Sequence, residues 1–189
     1  MKSLKCLILG SLLIISLSHC QAQDLDDKIL WDAAWSNDGK YIAVAGYIDE
    51  LLLFDGTTFK LVDRQDIGDR VHRLHWHPDK NILAVAAGAG TTQLIDFDTG
   101  ERTYLAGIGE GTRAIAWNHD GTIVASADYN KSITVWSADG AIQAQRHDDS
   151  GKSFLGISWH PERNEFITLS DSIRRFDADL NLLSAYKHR

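Results

Sequence analysis

Four tryptophans recur along this chain at an almost constant interval. Trp35, Trp76, Trp117 and Trp159 are separated by 41, 41 and 42 residues. The residues around them align as AAWSNDGKYIAVAG, RLHWHPDKNILAVAAG, AIAWNHDGTIVASAD and GISWHPERNEFITLS. A fixed period of this length is typical of proteins built from one repeated supersecondary unit. The sequence therefore predicts four repeats that fill most of the chain.

A second aromatic column keeps a similar period further along each repeat. Its members are Phe54, Phe97, Trp136 and Phe176, at steps of 43, 39 and 40 residues. Three of them are followed by an aspartate: Asp55, Asp98 and Asp177. Because two separate columns share one period, the repetition is not accidental, and both columns are predicted to be structural positions of the repeat.

Each repeat has the pattern of short strands joined by tight turns. Apolar residues alternate up to the tryptophan, as in Ala33 and Trp35, and a turn such as Ser-Asn-Asp-Gly or His-Pro-Asp-Lys follows. Asn or Pro at the second place and Asp at the third are typical of a type I turn. Three further strands follow in each period, with no amphipathic helix between them. The prediction is an all-β fold with four strands per repeat.

These features resemble the WD-repeat β-propeller family, which has this period, this turn and an aromatic-Asp pair ending the third strand. The resemblance implies a β-propeller domain over residues 23–189, with four-stranded antiparallel blades at about 29–67, 68–108, 109–150 and 151–189. It differs from the family pattern because the Gly-His pair before the first strand is missing from every repeat. The family's hydrogen-bond network is thus expected only as a remnant in the third repeat, formed by Ser126, Asn130 and Trp136.

Four blades leave open how the ring is completed. A blade buries both faces of its sheet against neighbours, so an incomplete array would expose two apolar faces. Three explanations remain: the chain is a truncated or split gene product, two copies pair to make eight blades, or four blades close alone. Self-association would require mutually complementary end faces.

Residues 1–22 have the pattern of a secretion signal. Lys2 and Lys5 precede the apolar stretch 7–17, which is too short to span a bilayer. Two processing routes are open, namely cleavage after Ala22 or lipoprotein processing at Cys20, where Leu-Ser-His-Cys resembles a lipobox apart from His19. Both predict an exported protein, periplasmic or secreted, whose only link to a membrane would be a lipid anchor at Cys20.

Composition and histidine spacing limit the other ligands. The formal net charge is -7, which argues against binding nucleic acid through general electrostatics. His72, His75 and His77 suggest a metal site at first sight, but His77-Pro78 recurs as His160-Pro161 and so fits the turn. We expect neither a metal site nor a cofactor, and we find no set of residues that would form a nucleophile with its base.

The resemblance implies that the functional surface is one rim of the propeller, where the loops leading into each blade meet those between second and third strands. Tyrosine, tryptophan and arginine at such a rim are typical interface anchors. The candidate rim residues are Trp31, Tyr47, Asp69, Arg70, His72, Arg113, Tyr129 and Lys152. The predicted function is a non-catalytic scaffold that binds a protein or peptide partner. The alternatives are an enzyme or a small-ligand or metal binder using a central channel, or a fragment of a larger propeller without independent function.

Overall fold

The structure is a computed structural model that describes residues 28–88, 90–106, 111–149 and 151–187. The predicted signal segment 1–22, with its lipidation candidate Cys20, lies outside these residues. Within the described ranges no helix is long and apolar enough to cross a membrane.

The described residues form four sheets of four strands each, in chain order. Blade 1 contains β1 (Leu30–Trp35), β2 (Tyr41–Gly46), β3 (Glu50–Asp55) and β4 (Leu61–Asp66). Blade 2 contains β5 (Val71–Trp76), β6 (Ile82–Ala87), β7 (Gln93–Asp96) and β8 (Arg102–Tyr104). Blade 3 contains β9 (Thr112–Trp117), β10 (Ile123–Asp128), β11 (Ser132–Ser137) and β12 (Ile142–His147). Blade 4 contains β13 (Gly156–Trp159), β14 (Glu165–Leu169), β15 (Ser172–Asp177) and β16 (Leu182–Lys187).

Every sheet is an antiparallel meander in which each strand pairs with the next one along the chain. This confirms the predicted fold class, an all-β propeller of four four-stranded blades. The first turn in blades 1 and 3 is closed by a glycine with positive φ, 71° at Gly39 and 70° at Gly121. These glycines donate their N–H groups to the Ser36 and Asn118 carbonyls at 3.0 and 3.2 Å. Only a residue tolerant of the left-handed region closes the turn this tightly without strain.

Neighbouring blades are held together by apolar side chains from facing sheets. Between blades 1 and 2 the cluster includes Ala43, Leu51, Leu53, Leu74, Trp76 and Val85. Between blades 2 and 3 it includes Ala84, Leu94, Ile115, Trp117 and Trp136. Between blades 3 and 4 it includes Ala125, Ile133, Val135, Phe166 and Phe176. Burial of these surfaces is the main force joining the blades, as in other repeat proteins.

The tryptophan column adds a hydrogen bond between blades at two boundaries. The Trp76 indole donates to the Ala34 carbonyl at 3.0 Å, and the Trp159 indole donates to the Ala116 carbonyl at 2.9 Å. In both cases the acceptor is the residue just before the tryptophan of the preceding blade. The Trp117 indole is buried without a hydrogen-bond partner among the described residues. The repeat therefore fixes the position of the ring but not always its polar contact.

Two sequence predictions are corrected by the structure, and the first concerns the strand register. In blade 2 the position equivalent to Phe54 is occupied by Ile95, because Leu83 pairs with Ile95 as Ile42 pairs with Phe54 in blade 1. Phe97 lies two residues later, outside β7, although it packs against Trp76 at 5.3 Å between ring centroids. The prediction for Phe97 is therefore wrong.

The remnant network of the third repeat is also not formed through its indole. The Trp136 indole nitrogen is buried and has no hydrogen-bond partner within the described ranges, and Ser126 is itself buried. Instead, Trp136 packs in the apolar cluster between blades 2 and 3. Apolar packing, not the family's polar network, fixes this side chain.

Candidate functional site

The candidate rim lies where the first strands of the blades begin. These first strands, β1, β5 and β9, lie side by side in neighbouring blades. Four residues before each tryptophan of the first column stand Trp31, His72, Arg113 and Leu155. Since the repeat places these positions at equivalent points, they form one row across the molecule. Residues at the ends of the second strands approach the same row.

Four aromatic rings make a continuous series of contacts along this row, and we call them the aromatic rim: Tyr47, Trp31, His72 and Tyr129. Trp31 stacks on His72 with ring centroids 5.1 Å apart and planes 8° apart. Tyr47 meets Trp31 edge-on at 5.7 Å, and Tyr129 meets His72 edge-on at 6.0 Å. Trp31, Tyr47 and Tyr129 are 40%, 48% and 40% exposed. Three blades thus supply one solvent-accessible aromatic surface whose rings are held by one another.

Two arginines cover the outer tyrosines of the aromatic rim. The Arg70 guanidinium lies 4.0 Å from the ring centroid of Tyr47 and also donates to its hydroxyl at 2.7 Å. The Arg113 guanidinium lies 4.2 Å from the ring centroid of Tyr129. These are cation–π distances, and both cations remain near the surface. The rim therefore offers apolar area flanked by positive charge, on a chain whose net charge is -7.

Its surroundings favour the neutral form of His72 at the centre of the rim. Burial between its neighbours lowers the pKa of His72, and the positive charge of Arg113 lowers it further. A neutral imidazole can stack closely on the Trp31 indole without bringing a third cation between the two arginines. The electrostatics therefore match the observed stacking.

Asp69 and Lys152 take positions beside the rim rather than in it. Asp69 accepts the backbone N–H of Arg70 at 2.7 Å and packs against Gly88, where a Cβ atom would overlap the carboxylate. Gly88 stands where Tyr47 and Tyr129 stand in the neighbouring repeats, so the tyrosine column is interrupted to make room for this aspartate. Lys152 is exposed in the loop before β13 and lies near Asp171.

Sequence reasoning overlooked Leu155, the fourth member of the row. It is 57% exposed, and its spacing from Trp159 is the same as that of Trp31 from Trp35. The offset from the tryptophan column could have identified it. Six of the eight candidate residues (Trp31, Tyr47, Arg70, His72, Arg113 and Tyr129) are brought together by the structure.

The three closely spaced histidines serve different contacts. His72 belongs to the aromatic rim, whereas His75 Nδ1 accepts the backbone N–H of Trp117 in the next blade at 3.2 Å. His77 Nδ1 accepts two backbone N–H groups of its own turn, and its Nε2 donates to the Gly121 carbonyl at 3.0 Å. Among the described residues no group of three His, Cys, Asp or Glu side chains could hold a metal ion.

Comparison with known proteins gives two matches to family models. The model described as "Anaphase-promoting complex subunit 4 WD40 domain" matches residues 59–110. The model described as "WD domain, G-beta repeat" matches residues 105–137.

Curated relatives are similar over longer stretches. A "Probable cytosolic iron-sulfur protein assembly protein 1" of Kluyveromyces lactis is 26% identical over 127 residues, covering 57% of this chain and 38% of that protein. The protein of the same name in Eremothecium gossypii is 30% identical over 125 residues, covering 59% and 38%. The "Anaphase-promoting complex subunit cdc20" of Dictyostelium discoideum is 26% identical over 149 residues, covering 75% and 29%. The matched region thus spans less than two fifths of each relative.

Fold and rim together define a β-propeller repeat protein with an exposed aromatic surface where the first strands of its blades begin. The repeat spacing, the two family-model matches and the relatives support the WD-repeat family, which confirms the predicted resemblance. Proteins of this family are generally non-catalytic scaffolds for interaction with other proteins. The same relatives contradict the prediction of an exported protein, because both iron–sulfur assembly proteins are named as cytosolic. That prediction is wrong.

Proposed function

We propose that this chain is a non-catalytic scaffold that binds a segment of a partner protein across the aromatic rim. The observation that carries the proposal is the continuous contact of Tyr47, Trp31, His72 and Tyr129 over three blades, with an arginine on each outer tyrosine. Tryptophan, tyrosine and arginine are the residues that most often dominate binding energy at protein interfaces. The names of the relatives, which describe assembly proteins and a complex subunit, support a role in protein association.

The rim suits a partner because its rings are already ordered. An exposed tryptophan normally loses rotamer freedom on binding, which costs roughly 0.5–1.5 kcal/mol per immobilised side chain. Here the Trp31 ring is stacked on His72 at 8° between planes before any partner arrives. Much of that cost is therefore met within the fold, and the buried apolar area contributes to affinity.

The flanking arginines define the chemistry of the partner segment. Their guanidinium faces are occupied by the Tyr47 and Tyr129 rings, while their N–H edges remain able to donate to carboxylates. We propose a segment with an apolar or aromatic side chain for the Trp31 surface and an acidic side chain beside it. Binding would then weaken as salt concentration rises, because the charged contacts are near the surface.

The proposal is tested with peptides selected from a random peptide library against the full chain. Synthetic versions of the selected peptides are then titrated against purified variants by fluorescence polarisation. Trp31→Ala is expected to weaken binding by about 30-fold, the effect of losing an interface residue worth about 2 kcal/mol. Arg113→Gln is expected to weaken binding and to reduce its salt dependence.

The matched control is Tyr104→Ala. Tyr104 is an aromatic residue of β8 that is 55% exposed and makes no ring contact with the aromatic rim. Its replacement should change affinity less than about twofold, as for most surface positions outside a binding site. Peptides whose affinity depends on Tyr104, or is unchanged by both rim substitutions, would refute the proposal.

A further inference from the structure

The end blades expose sheet faces that are buried elsewhere in the molecule. We call the face of blade 1 that points away from blade 2 the leading face; it carries the exposed Trp35, the half-buried Val44 and Phe54, and the buried Ile42. Trp35 is 58% exposed, whereas its repeat equivalents Trp76 and Trp117 are 6% and 2% exposed. The leading face thus has the residues of a blade boundary without a neighbouring blade.

The opposite end shows the complementary feature. We call the face of blade 4 that points away from blade 3 the trailing face; it carries Glu165, Ile167, Leu169, Ile173 and Arg175. Ile167, Leu169 and Ile173 are 38%, 43% and 43% exposed. Their equivalents in blade 3, which are Ala125, Ala127 and Ile133, are each 0% exposed. An apolar surface of this kind on a sheet face is typical of an interaction site.

The first hydrogen bond expected between these faces follows from the tryptophan column. At two boundaries the indole donates to the carbonyl of the residue before the preceding blade's tryptophan, Ala34 or Ala116. The Trp35 indole on the leading face has no hydrogen-bond partner among the described residues. By the same rule its acceptor is the carbonyl of Ser158, which lies on blade 4 and is exposed.

The second expected hydrogen bond runs in the opposite direction. In blade 2, His77 Nδ1 accepts N–H groups of its own turn, so that Nε2 carries the proton and donates to the Gly121 carbonyl of blade 3. His160 of blade 4 has the same arrangement, because its Nδ1 accepts the Glu162 N–H at 3.0 Å. Its Nε2 therefore also carries a proton, and it has no partner among the described residues. The equivalent of Gly121 in blade 1 is Gly39.

Shape and size also correspond between the two faces. The trailing face contains a hollow of about 180 Å³ beside Ser158, Glu165 and Ile167. Ser158 is equivalent to Ala34 and Ala116, whose carbonyls accept the indole N–H of the next blade's tryptophan. Blade 4 has Ile167 and Leu169 where blades 1 to 3 have alanines, whereas the leading face has Ala33 where later blades have Leu74, Ile115 and Ile157. Larger side chains on one face therefore meet a smaller one on the other.

We propose that two copies of this chain form a closed ring of eight blades. The trailing face of each copy packs on the leading face of the other, with the Trp35 indole donating to the Ser158 carbonyl and His160 Nε2 to the Gly39 carbonyl. The two boundaries are related by a twofold axis, so every end face is covered. Eight blades lie within the range of known propellers. The inference does not depend on the proposed function, because the aromatic rim lies within blades 1 to 3 of one copy.

The test is the mass of the full chain in solution, measured by sedimentation equilibrium from about 1 to 100 μM, the range in which moderate dimers dissociate. We expect a species with twice the 21.0 kDa mass of one chain. Trp35→Lys on the leading face and Ile167→Glu on the trailing face should each weaken dimerisation at least about 100-fold, because each buries an unpaired charge at both boundaries. Tyr104→Glu, on the outer strand of blade 2, is the matched control and should leave the dimer intact.

Mixing the two variants makes the test specific for the ring. A mixed dimer has one boundary with both original faces and one boundary at which both substitutions lie. At that second boundary the lysine introduced by Trp35→Lys faces the glutamate introduced by Ile167→Glu, so neither charge is buried alone. Equimolar mixing should therefore restore dimers that neither variant forms alone, and circular dichroism confirms that both variants are folded. A monomer at every concentration, an unlimited series of larger oligomers, or a dimer disrupted by only one of the two substitutions would overturn the proposal.

Discussion

The unequal hydrogen bonding of the tryptophan column leads to a prediction that compares one substitution at equivalent sites. Trp76 and Trp117 occupy the same position of neighbouring repeats, and both are buried. The Trp76 indole donates to the Ala34 carbonyl at 3.0 Å, whereas the Trp117 indole has no partner among the described residues. Trp76→Phe and Trp117→Phe therefore remove similar apolar area, but the first removes a hydrogen-bonded indole N–H and the second an unpaired one.

The expected difference follows from the cost of these polar groups. Trp76→Phe loses a hydrogen bond worth about 1 kcal/mol net, whereas Trp117→Phe removes a buried unsatisfied donor that costs about 1–3 kcal/mol in the native state. The loss of apolar packing is common to both and largely cancels. We therefore expect Trp76→Phe to lower the free energy of unfolding by about 2–4 kcal/mol more than Trp117→Phe does.

Urea denaturation followed by far-UV circular dichroism measures the difference without relying on tryptophan emission. Both variants are compared at one protein concentration, since association would stabilise the native state by mass action. The comparison is valid where the dependence on urea concentration, which reports the surface exposed on unfolding, is the same for both. If Trp117→Phe proved as destabilising as Trp76→Phe, the reasoning from the unpaired indole would be refuted.

Two further predictions concern buried titratable groups. Burial lowers the pKa of His77, so the unfolded state binds a proton at this histidine more readily than the native state does. Stability should therefore fall as the pH drops below about 6.5, the ordinary pKa of histidine. The variant His77→Asn should show a smaller loss of stability in thermal melts between pH 7.5 and 5.5. An unchanged pH dependence in that variant would contradict the assignment. Arg174 and Asp148 form a buried ion pair at 3.0 Å. Arg174→Met should therefore lower the free energy of unfolding, measured by urea denaturation, by about 3–5 kcal/mol. The control Arg73→Met removes a more exposed pair with Asp32 and should lower it by less than about 1 kcal/mol. Equal effects would contradict the role given to burial.

The sequence predicts the blades well because their signals are local. Turn residues such as Gly39 and the alternation before Trp35 act within a few positions and recur once per repeat. The error at Phe97 shows the limit of this approach. Phe97, two positions after Ile95, matches the aromatic residues of the second column in type, although Ile95 occupies the equivalent position. The register follows from the pairing of Ile95 with Leu83, which the sequence does not reveal.

The rim could be predicted as a set of residues but not as a surface. Loop position and residue type indicate Tyr47, Arg70 and Tyr129, yet the order of contacts depends on the lateral distance between inner strands, which no local pattern encodes. Lys152 shows the same limit, because it shares the loop position of Asp69 but lies beside the aromatic rim, near Asp171. Contacts between blades require the structure.

The inner strands show how one repeat serves both stability and recognition. The tryptophan position is the same residue type in all four repeats, and three of its members pack between blades. Four residues earlier on the same strands the repeats carry Trp31, His72, Arg113 and Leu155. These positions lie at the exposed end, where packing between blades does not select one side chain. The fold therefore leaves this row free to differ in chemistry, as the stacking of Trp31 on His72 and the packing of Arg113 on Tyr129 show.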